Sequence, residues 1–237
     1  MISVVLPAYQ EAENLRMILP KLKEALEKTG AGYEVLVIDT VEKMDDTHEV
    51  CLANGVTYVT REGGNLYGDA MRTGFAKAAG EYIVVMDADG SHDPNDILRF
   101  YEEMQKEHWH LVIGSRYCKG GYTDNNFVLK TMSWMLNVTY RIVFGLNVQD
   151  VSDSYRMYQA DLLKKLVLEC NNFDIVEEIL IKLHYTNHPF LVKEVPISFN
   201  KRVAGESKRD LLKFIFSYFT TMRKLLGMKN SAKEMVK

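Results

Sequence analysis

Cysteine is scarce in this chain and never paired. Cys51, Cys118 and Cys170 are the only three in 237 residues. An odd count with no Cys-x-x-Cys spacing excludes a disulfide-stapled scaffold and a structural zinc site, and points to a reducing compartment. Long apolar runs are missing too. The best candidate for a membrane span, Phe127–Phe144, is interrupted by Lys130, Asn137 and Arg141, which is too polar to cross a bilayer. Charge of one sign does not dominate: 29 Lys and Arg against 32 Asp and Glu leave a net charge of -3. That excludes a global nucleic-acid footprint and argues against a nucleic-acid partner. The opening MISVVLPAYQEAEN has no basic stretch before its apolar run and reads as a first strand, not a signal peptide. There is no internal repeat or low-complexity tract.

Several catalytic signatures are also absent. Gly63-Gly64 is not followed by Gly-Lys-Ser/Thr, and its spacing to Gly68 does not fit a dinucleotide fingerprint. There is no Gly-x-Ser-x-Gly elbow and no Ser-His-Asp arrangement. The histidines (His48, His92, His108, His110, His184 and His188) share no metal-ligand spacing.

What is present suits one sizeable core, with 47% hydrophobic and 26% charged residues. The first hundred residues alternate strand and helix patterns. Strands are expected at Ile2–Leu6, Tyr33–Asp39, Val56–Val59 and Tyr82–Met86, with helices over Glu13–Lys28, Thr47–Ala53 and from the Gly-rich loop to about Ala79. Asp93 as N-cap and Pro94 as first residue open a helix to about Lys106, and Leu111–Ser115 is the next strand. This alternation implies an α/β fold with a mostly parallel sheet, whose ligands sit at the carboxyl ends of the strands. The second half is less regular. It reads as an apolar helix over Phe127–Phe144, a strand over Ser154–Tyr158, helices over Ala160–Leu168 and Ile175–His184, and a strand over Val192–Phe199. An amphipathic helix over Asp210–Leu226 and a polar tail end it.

The most informative stretch is Ile83-Val84-Val85-Met86-Asp87-Ala88-Asp89-Gly90. A strand buried on both faces runs straight into two carboxylates. Unpaired charge there is costly, and a hard divalent cation with a phosphate beside it would relieve the cost. An Asp-rich turn would also close the strand without a ligand. Asp39 ends the second strand and would converge with Asp87 and Asp89 on one cleft. Pro7, Tyr9 and Glu11 follow the first strand, offering a fixed turn, a ring for stacking and an acceptor. The Gly63–Ala70 loop could approach phosphate closely. Asp150 and Asp153 flank a short turn, and Arg202 and Lys208 bracket a basic, Gly-containing loop suited to phosphate.

Taken in order, PAYQEAEN, VLVID, GDAMRTGFAKAAGEYIVVMDADGSHDP, VIGSRYCKGG, DVSDSYRMY and EVPISFNKRVAGESK resemble family 2 glycosyltransferases. The polyprenyl-phosphate hexosyltransferase branch is the nearest resemblance, and it runs from Ile2 to about Lys208. It implies a GT-A fold and an inverting transfer from a nucleotide-sugar donor with Mg²⁺ or Mn²⁺. It assigns Asp87, Asp89 and Ser91 to the metal. Pro7, Tyr9, Glu11, Asp39, Asp69, Asp87 and Ala88 fall to the nucleotide. Asp89, Arg116, Arg202 and Lys208 fall to catalysis, with Asp150 and Asp153 as base candidates if the acceptor is a hydroxyl.

The chain departs from the pattern in three places. Relatives usually read Asp-Asp-Gly-Ser after the second strand, where this chain reads Asp39-Thr40-Val41-Glu42-Lys43-Met44-Asp45-Asp46. Asp153 replaces a small residue. Glu177 and Glu178 match an acidic helix position only across a small insertion near His184–Pro189.

The expected division is a glycosyltransferase domain over 1–209, with a nucleotide-sugar half (1–115) and an acceptor half (116–209), followed by the helix and tail of 210–237. The acceptor is expected to be a polyprenyl or dolichyl phosphate. A saccharide hydroxyl stays open, as does, from another class, a nucleotidyltransferase or nucleotide-binding module. The expected location is cytoplasmic and peripheral at the inner face of the membrane, through a lipid surface or a membrane-protein partner held by 210–226.

Overall fold

A computed structural model describes residues 1–201 and 220–227. In the first half the elements are β1 (Ile2–Pro7), α1 (Ala12–Lys28), β2 (Tyr33–Asp39), α2 (Thr47–Asn54), β3 (Thr57–Thr60), α3 (Tyr67–Lys77), β4 (Tyr82–Val85), α4 (Asp96–Lys106) and β5 (Leu111–Ser115). In the second half they are β6 (Tyr122–Thr123), α5 (Phe127–Phe144), β7 (Arg156–Gln159), α6 (Ala160–Leu163), α7 (Ile175–Thr186), β8 (Val192–Pro196) and β9 (Ser198–Phe199). Residues 220–227 are helical.

Seven strands form one sheet in the order β3-β2-β1-β4-β7-β5-β8, and β6 and β9 form a small second sheet. Every neighbouring pair in the large sheet is parallel except those of β7, which runs antiparallel to β4 and β5. Burial follows the two-residue period of a strand covered on both faces. In β1, Val5 joins the core under α3, while Val4 and Leu6 join the core under α1 and α4. The close fit of α3 on β1 requires Gly74, where an added Cβ would lie 2.3 Å from Val5 Cγ1.

The reversed strand decides where the site lies. Arg156, the first residue of β7, sits opposite Val85 of β4 and Ile113 of β5. The segment entering β7, Asp150–Tyr155, therefore lies beyond the carboxyl ends of β4 and β5. One edge of the sheet thus collects the ends of β1, β2, β4 and β5 and the start of β7.

Some expected boundaries shift for local reasons. The fourth helix begins at Asp96, not at Asp93 or Pro94. The Asp93 side chain instead accepts from the Asn95 N–H at 3.0 Å, and Asp96 and Ile97 donate to the carbonyls of Asp93 and Pro94, a tight lead-in turn. The strand expected over Val192–Phe199 breaks at Ile197 so that β9 can pair with β6. The helix expected to reach Leu168 stops at Leu163, and the Ser154–Tyr158 strand starts at Arg156.

Candidate functional site

The turn after β1 carries the first site residues. Pro7 ends the strand opposite Ile38 of β2. Tyr9 is 38% exposed, and Gln10 adopts φ +56°, a left-handed backbone that a non-glycine residue rarely takes. Glu11 accepts from Asn14 Nδ2 at 2.5 Å.

Asp39 ends β2 at 2% exposure. Its Oδ2 accepts from the Tyr58 hydroxyl at 3.3 Å, and its Oδ1 has no hydrogen-bond partner among the described residues. Burial raises the Asp39 pKa, and the nearby Asp45 charge adds to the effect, against the Thr40 N–H, Tyr58 and Arg61. A buried carboxylate oxygen left unmatched is the kind of group that a ligand N–H or O–H satisfies.

Arg61, just past β3, carries no expectation from sequence, yet it organises this side. Its guanidinium donates to the Ala8 carbonyl and to the carbonyls of Asn65 (2.5 Å) and Leu66 (3.3 Å), tying the Tyr9 turn to the Gly-rich loop. Burial lowers the Arg61 pKa, against the nearby charges of Asp39 and Asp69. Asp69 is held inside the protein: one oxygen accepts from the Leu66 N–H at 3.0 Å and the other from Arg72 at 2.7 Å. The close approach expected of the Gly-rich loop is made to protein. A Cβ on Gly68 would lie 2.3 Å from the Cys170 carbonyl oxygen.

Beyond β4 the chain turns through Asp87, Ala88 and Asp89, with Gly90 at φ +81°. Ala88 is buried and both carboxylates are half-buried. Asp87 Oδ1 accepts from Ser154 Oγ at 2.9 Å, and Asp89 Oδ1 accepts from the Ser91 N–H at 3.0 Å. Ser91 Oγ is buried beside them without a partner among the described residues. Among those residues no group of three His, Cys, Asp or Glu is arranged to hold an ion unaided. Two carboxylates and a hydroxyl are an oxygen donor set that suits Mg²⁺ or Mn²⁺ when diphosphate oxygens complete the coordination. The residues present therefore fit the ion.

On the β7 side, Arg116 follows β5 and is buried. Its backbone N–H and Nε donate to Asp150 Oδ2 at 2.9 and 2.8 Å, and Nη2 donates to Asp150 Oδ1 at 2.8 Å and to Ser152 Oγ at 2.9 Å. Nε also lies 3.0 Å from Asp153 Oδ2. Burial opposes the Arg116 cation, but Asp150 and Asp153 more than offset it and raise its pKa. Burial would raise Asp153, yet Arg116 and His92 prevail and hold it at about 2. His92 is fully buried at 3.3 Å from Asp153, and its Nδ1 accepts from the Asp87 N–H at 3.2 Å. Burial disfavours its cation, and Asp153, Asp87 and Asp89 outweigh that and raise its pKa.

The structure thus brings together Tyr9, Asp39, Asp87, Asp89, Arg116, Asp150 and Asp153 along one edge. Arg202 and Lys208 lie outside the described residues, as do 210–219 of the expected C-terminal helix. Glu178 is buried and engaged by Lys182 at 2.7 Å and by the N–H groups of Glu169 and Cys170. Arg61, His92 and Ser154 escaped sequence reasoning. A charged residue directly after a strand was the available signal for Arg61. For the other two, contacts across the fold leave none.

The sequence profile described as Glycosyl transferase family 2 matches residues 3–167. The chain is 34% identical to a dolichol-phosphate mannosyltransferase of Pyrococcus furiosus, over all of this chain and 66% of the relative. It is 31% identical to an undecaprenyl-phosphate mannosyltransferase of Micrococcus luteus, over 86% of this chain and 85% of the relative. Among solved structures, glucosyl-3-phosphoglycerate synthase from Mycobacterium tuberculosis in complex with Mn²⁺, UDP and phosphoglyceric acid superposes with a TM-score of 0.76. That match covers 96% of this chain and 78% of that one at 19% identity. The same enzyme with Mg²⁺ and UDP gives 0.74, with 96% and 79% covered at 19% identity.

Proposed function

The chain belongs to glycosyl transferase family 2 and is a glycosyltransferase with a GT-A fold, and on that premise we propose that it moves a hexose from a nucleotide sugar to a polyprenyl phosphate. In this reading residues 1–115 hold the donor and 116–209 the acceptor. The observation that carries it is the contrast along the sheet edge: a buried Asp39 oxygen with no hydrogen-bond partner among the described residues on the donor side, and carboxylates engaged by Arg116 on the acceptor side.

On the donor side, Tyr9 stacks on the nucleoside and Asp39 Oδ1 accepts one of its donors. Asp87, Asp89 and Ser91 would hold Mg²⁺ or Mn²⁺. When bound, the ion stabilises the negative charge that builds on the leaving nucleoside diphosphate. Arg202 and Lys208 add cationic charge for the same phosphates.

On the acceptor side, a hydroxyl would need a base. Asp150 is engaged by Arg116, and Asp153, held at about 2, is a weak one. A phosphate monoester is already ionised at neutral pH and attacks without proton removal. The helix α5 supports a lipid on this phosphate. Its inner face reaches the Asp150 turn through Ser133 to Ser152 (3.2 Å) and Asn137 to the Val151 N–H (3.0 Å). Its outer face exposes Phe127, Val128, Trp134, Met135 and Ile142. That face includes an i, i+7 stripe on a helix with two basic residues and no acidic one, a pattern suited to lying in an anionic membrane surface. No described helix is long and apolar enough to cross a membrane.

The test is hexose transfer from UDP- and GDP-sugars with Mn²⁺, offered short polyprenyl phosphates or saccharide acceptors. Transfer to the phosphate alone is expected, and Asp89→Ala should lower it by about two to three orders of magnitude with little change in melting temperature. Transfer only to a saccharide, or full activity in the variant, would overturn the reading.

A further inference from the structure

The ring of His92 lies where the donor and acceptor sides meet. It leaves the turn after Gly90 and folds back beneath the end of β4. There Nδ1 accepts from the Asp87 N–H at 3.2 Å and Nε2 faces Asp153 Oδ1 at 3.3 Å. In its neutral form the ring can accept at Nδ1 only with its proton on Nε2, toward the carboxylate. The ring stacks on Tyr155 at 4.6 Å between centroids and meets Phe199 edge-on at 5.3 Å. Tyr155 is pinned in turn: its hydroxyl donates to the Asp93 carbonyl at 2.8 Å, and its N–H donates to Asp153 Oδ1 at 2.8 Å. Ser154, between them, donates to Asp87 Oδ1 at 2.9 Å.

A histidine serving only as core filling needs its ring and one partner. Here each nitrogen addresses a different side of the site. We infer that His92 is a positioning residue that fixes the peptide of Asp87 through Nδ1 and the Asp153–Arg116 pair through Nε2. It thereby sets the spacing between the ion-holding carboxylates and the acceptor loop. The His92 side chain is fully buried, so it acts through Asp87 and Asp153. The inference rests on the assignment of Asp87 and Asp89 to the ion.

Two substitutions separate the nitrogens. In His92→Asn the amide oxygen replaces Nδ1 as acceptor and the reach to Asp153 is lost. In His92→Gln the amide N–H replaces Nε2 as donor and the acceptor near Asp87 is lost. Both remove the ring, so a purely structural histidine would be affected alike by both. The readout is the Mn²⁺ concentration that half-saturates UDP or GDP binding by calorimetry, alongside kcat and the KM of each substrate. In the Gln variant the Mn²⁺ midpoint and donor KM should rise roughly ten- to a hundredfold, the range for groups that orient metal ligands. In the Asn variant both should stay near wild type while kcat falls.

Equal Mn²⁺ midpoints in the two variants overturn the inference. Should either fail to fold, nitrogen NMR of the neutral ring in the wild type decides instead: the Nε2–H tautomer supports the inference and the Nδ1–H tautomer overturns it. If the wild type binds neither nucleotide with Mn²⁺, the donor-site reading itself fails. If it binds normally and the variants match each other, only the role of His92 fails.

Discussion

In the first half of the chain Asp39 is almost fully buried with one oxygen unmatched among the described residues, and Asp87 and Asp89 are half-buried at a strand end. In the second half Asp150 and Asp153 are just as buried, yet Arg116 engages both. Their electrostatics diverge accordingly. Burial raises the pKa of Asp39, whereas the Arg116 and His92 charges hold Asp153 at about 2 despite its burial. The same residue type at the same sheet edge therefore does two jobs, and the local supply of partners decides which. The Asp39 oxygen that nothing among the described residues engages is available to a ligand, whereas the Arg116 ion pairs make Asp150 and Asp153 scaffold. Arg116 is best understood from this side: it orders the Asp150–Asp153 turn.

The strongest way to break the comparison is to remove the shared cation. Arg116→Met leaves two buried carboxylates without their partner, and stranding a buried charge costs about 3 to 5 kcal/mol. Denaturant titration should show a loss of that size or an unfolded protein. A loss under 1 kcal/mol would mean that the turn holds its shape without the ion pair.

A gentler test uses pH, because the two kinds of carboxylate predict opposite signs. The folded pKa of Asp153 lies below its ordinary 3.8, at about 2. Its contribution is complete above 3.8 and disappears as pH falls toward 2, an effect of about 2 kcal/mol. The folded pKa of Asp39 lies above 3.8, so the native state binds the extra proton, and stability falls as pH rises through that folded value. At neutral pH without nucleotide, Asp153→Asn should destabilise and Asp39→Asn should not. Only Asp153→Asn should flatten the acid limb between pH 4 and 2. Melts of both variants from pH 2 to 8 check this, and shifts of the same sign would remove the distinction.

The two halves also differ in how far residue patterns reveal them. Tyr33–Asp39, Leu111–Ser115 and Phe127–Phe144 match the observed β2, β5 and α5 to the residue. Each is a run whose apolar pattern ends at a Gly, Asp or Arg, so local signals suffice. Asp39, Asp87 and Asp89 were legible as site candidates for the same reason, being charges that directly follow apolar strands. The reversal of β7, the break at Ile197 and the links from His92 and Ser154 to the end of β4 were not legible. They depend on which strands become neighbours across the fold, and Ser154 with Asp87 spans 67 positions. The engagement of Asp69 and Asp150 was hidden likewise, since an Asp in a turn looks the same in sequence whether or not an Arg will meet it.

The altered segment after β2 offers the smallest test and sharpens the same contrast between adjacent residues. Asp45 Oδ2 accepts from the Ala12 N–H at 2.9 Å and Oδ1 from the Thr47 N–H at 2.9 Å. One side chain thereby satisfies the starts of both α1 and α2, whose own N-cap residues supply no side-chain bond. Asp46 has a side chain 66% exposed and 3.5 Å from Arg16, a surface pair of little energetic weight. Asp45→Ala should cost about 1 to 2 kcal/mol as a lost cap, and Asp46→Ala should stay within about 0.5 kcal/mol of wild type. Asp45 also helps to raise the Asp39 pKa, so its removal should ease the ionisation of Asp39 and make the pH-dependent decline smaller and complete at lower pH. Equal losses from the two alanine variants would mean that this segment is anchored by its backbone. A selective loss at Asp45 would identify it as the residue that lets an unusual loop keep the carboxyl end of β2 in place.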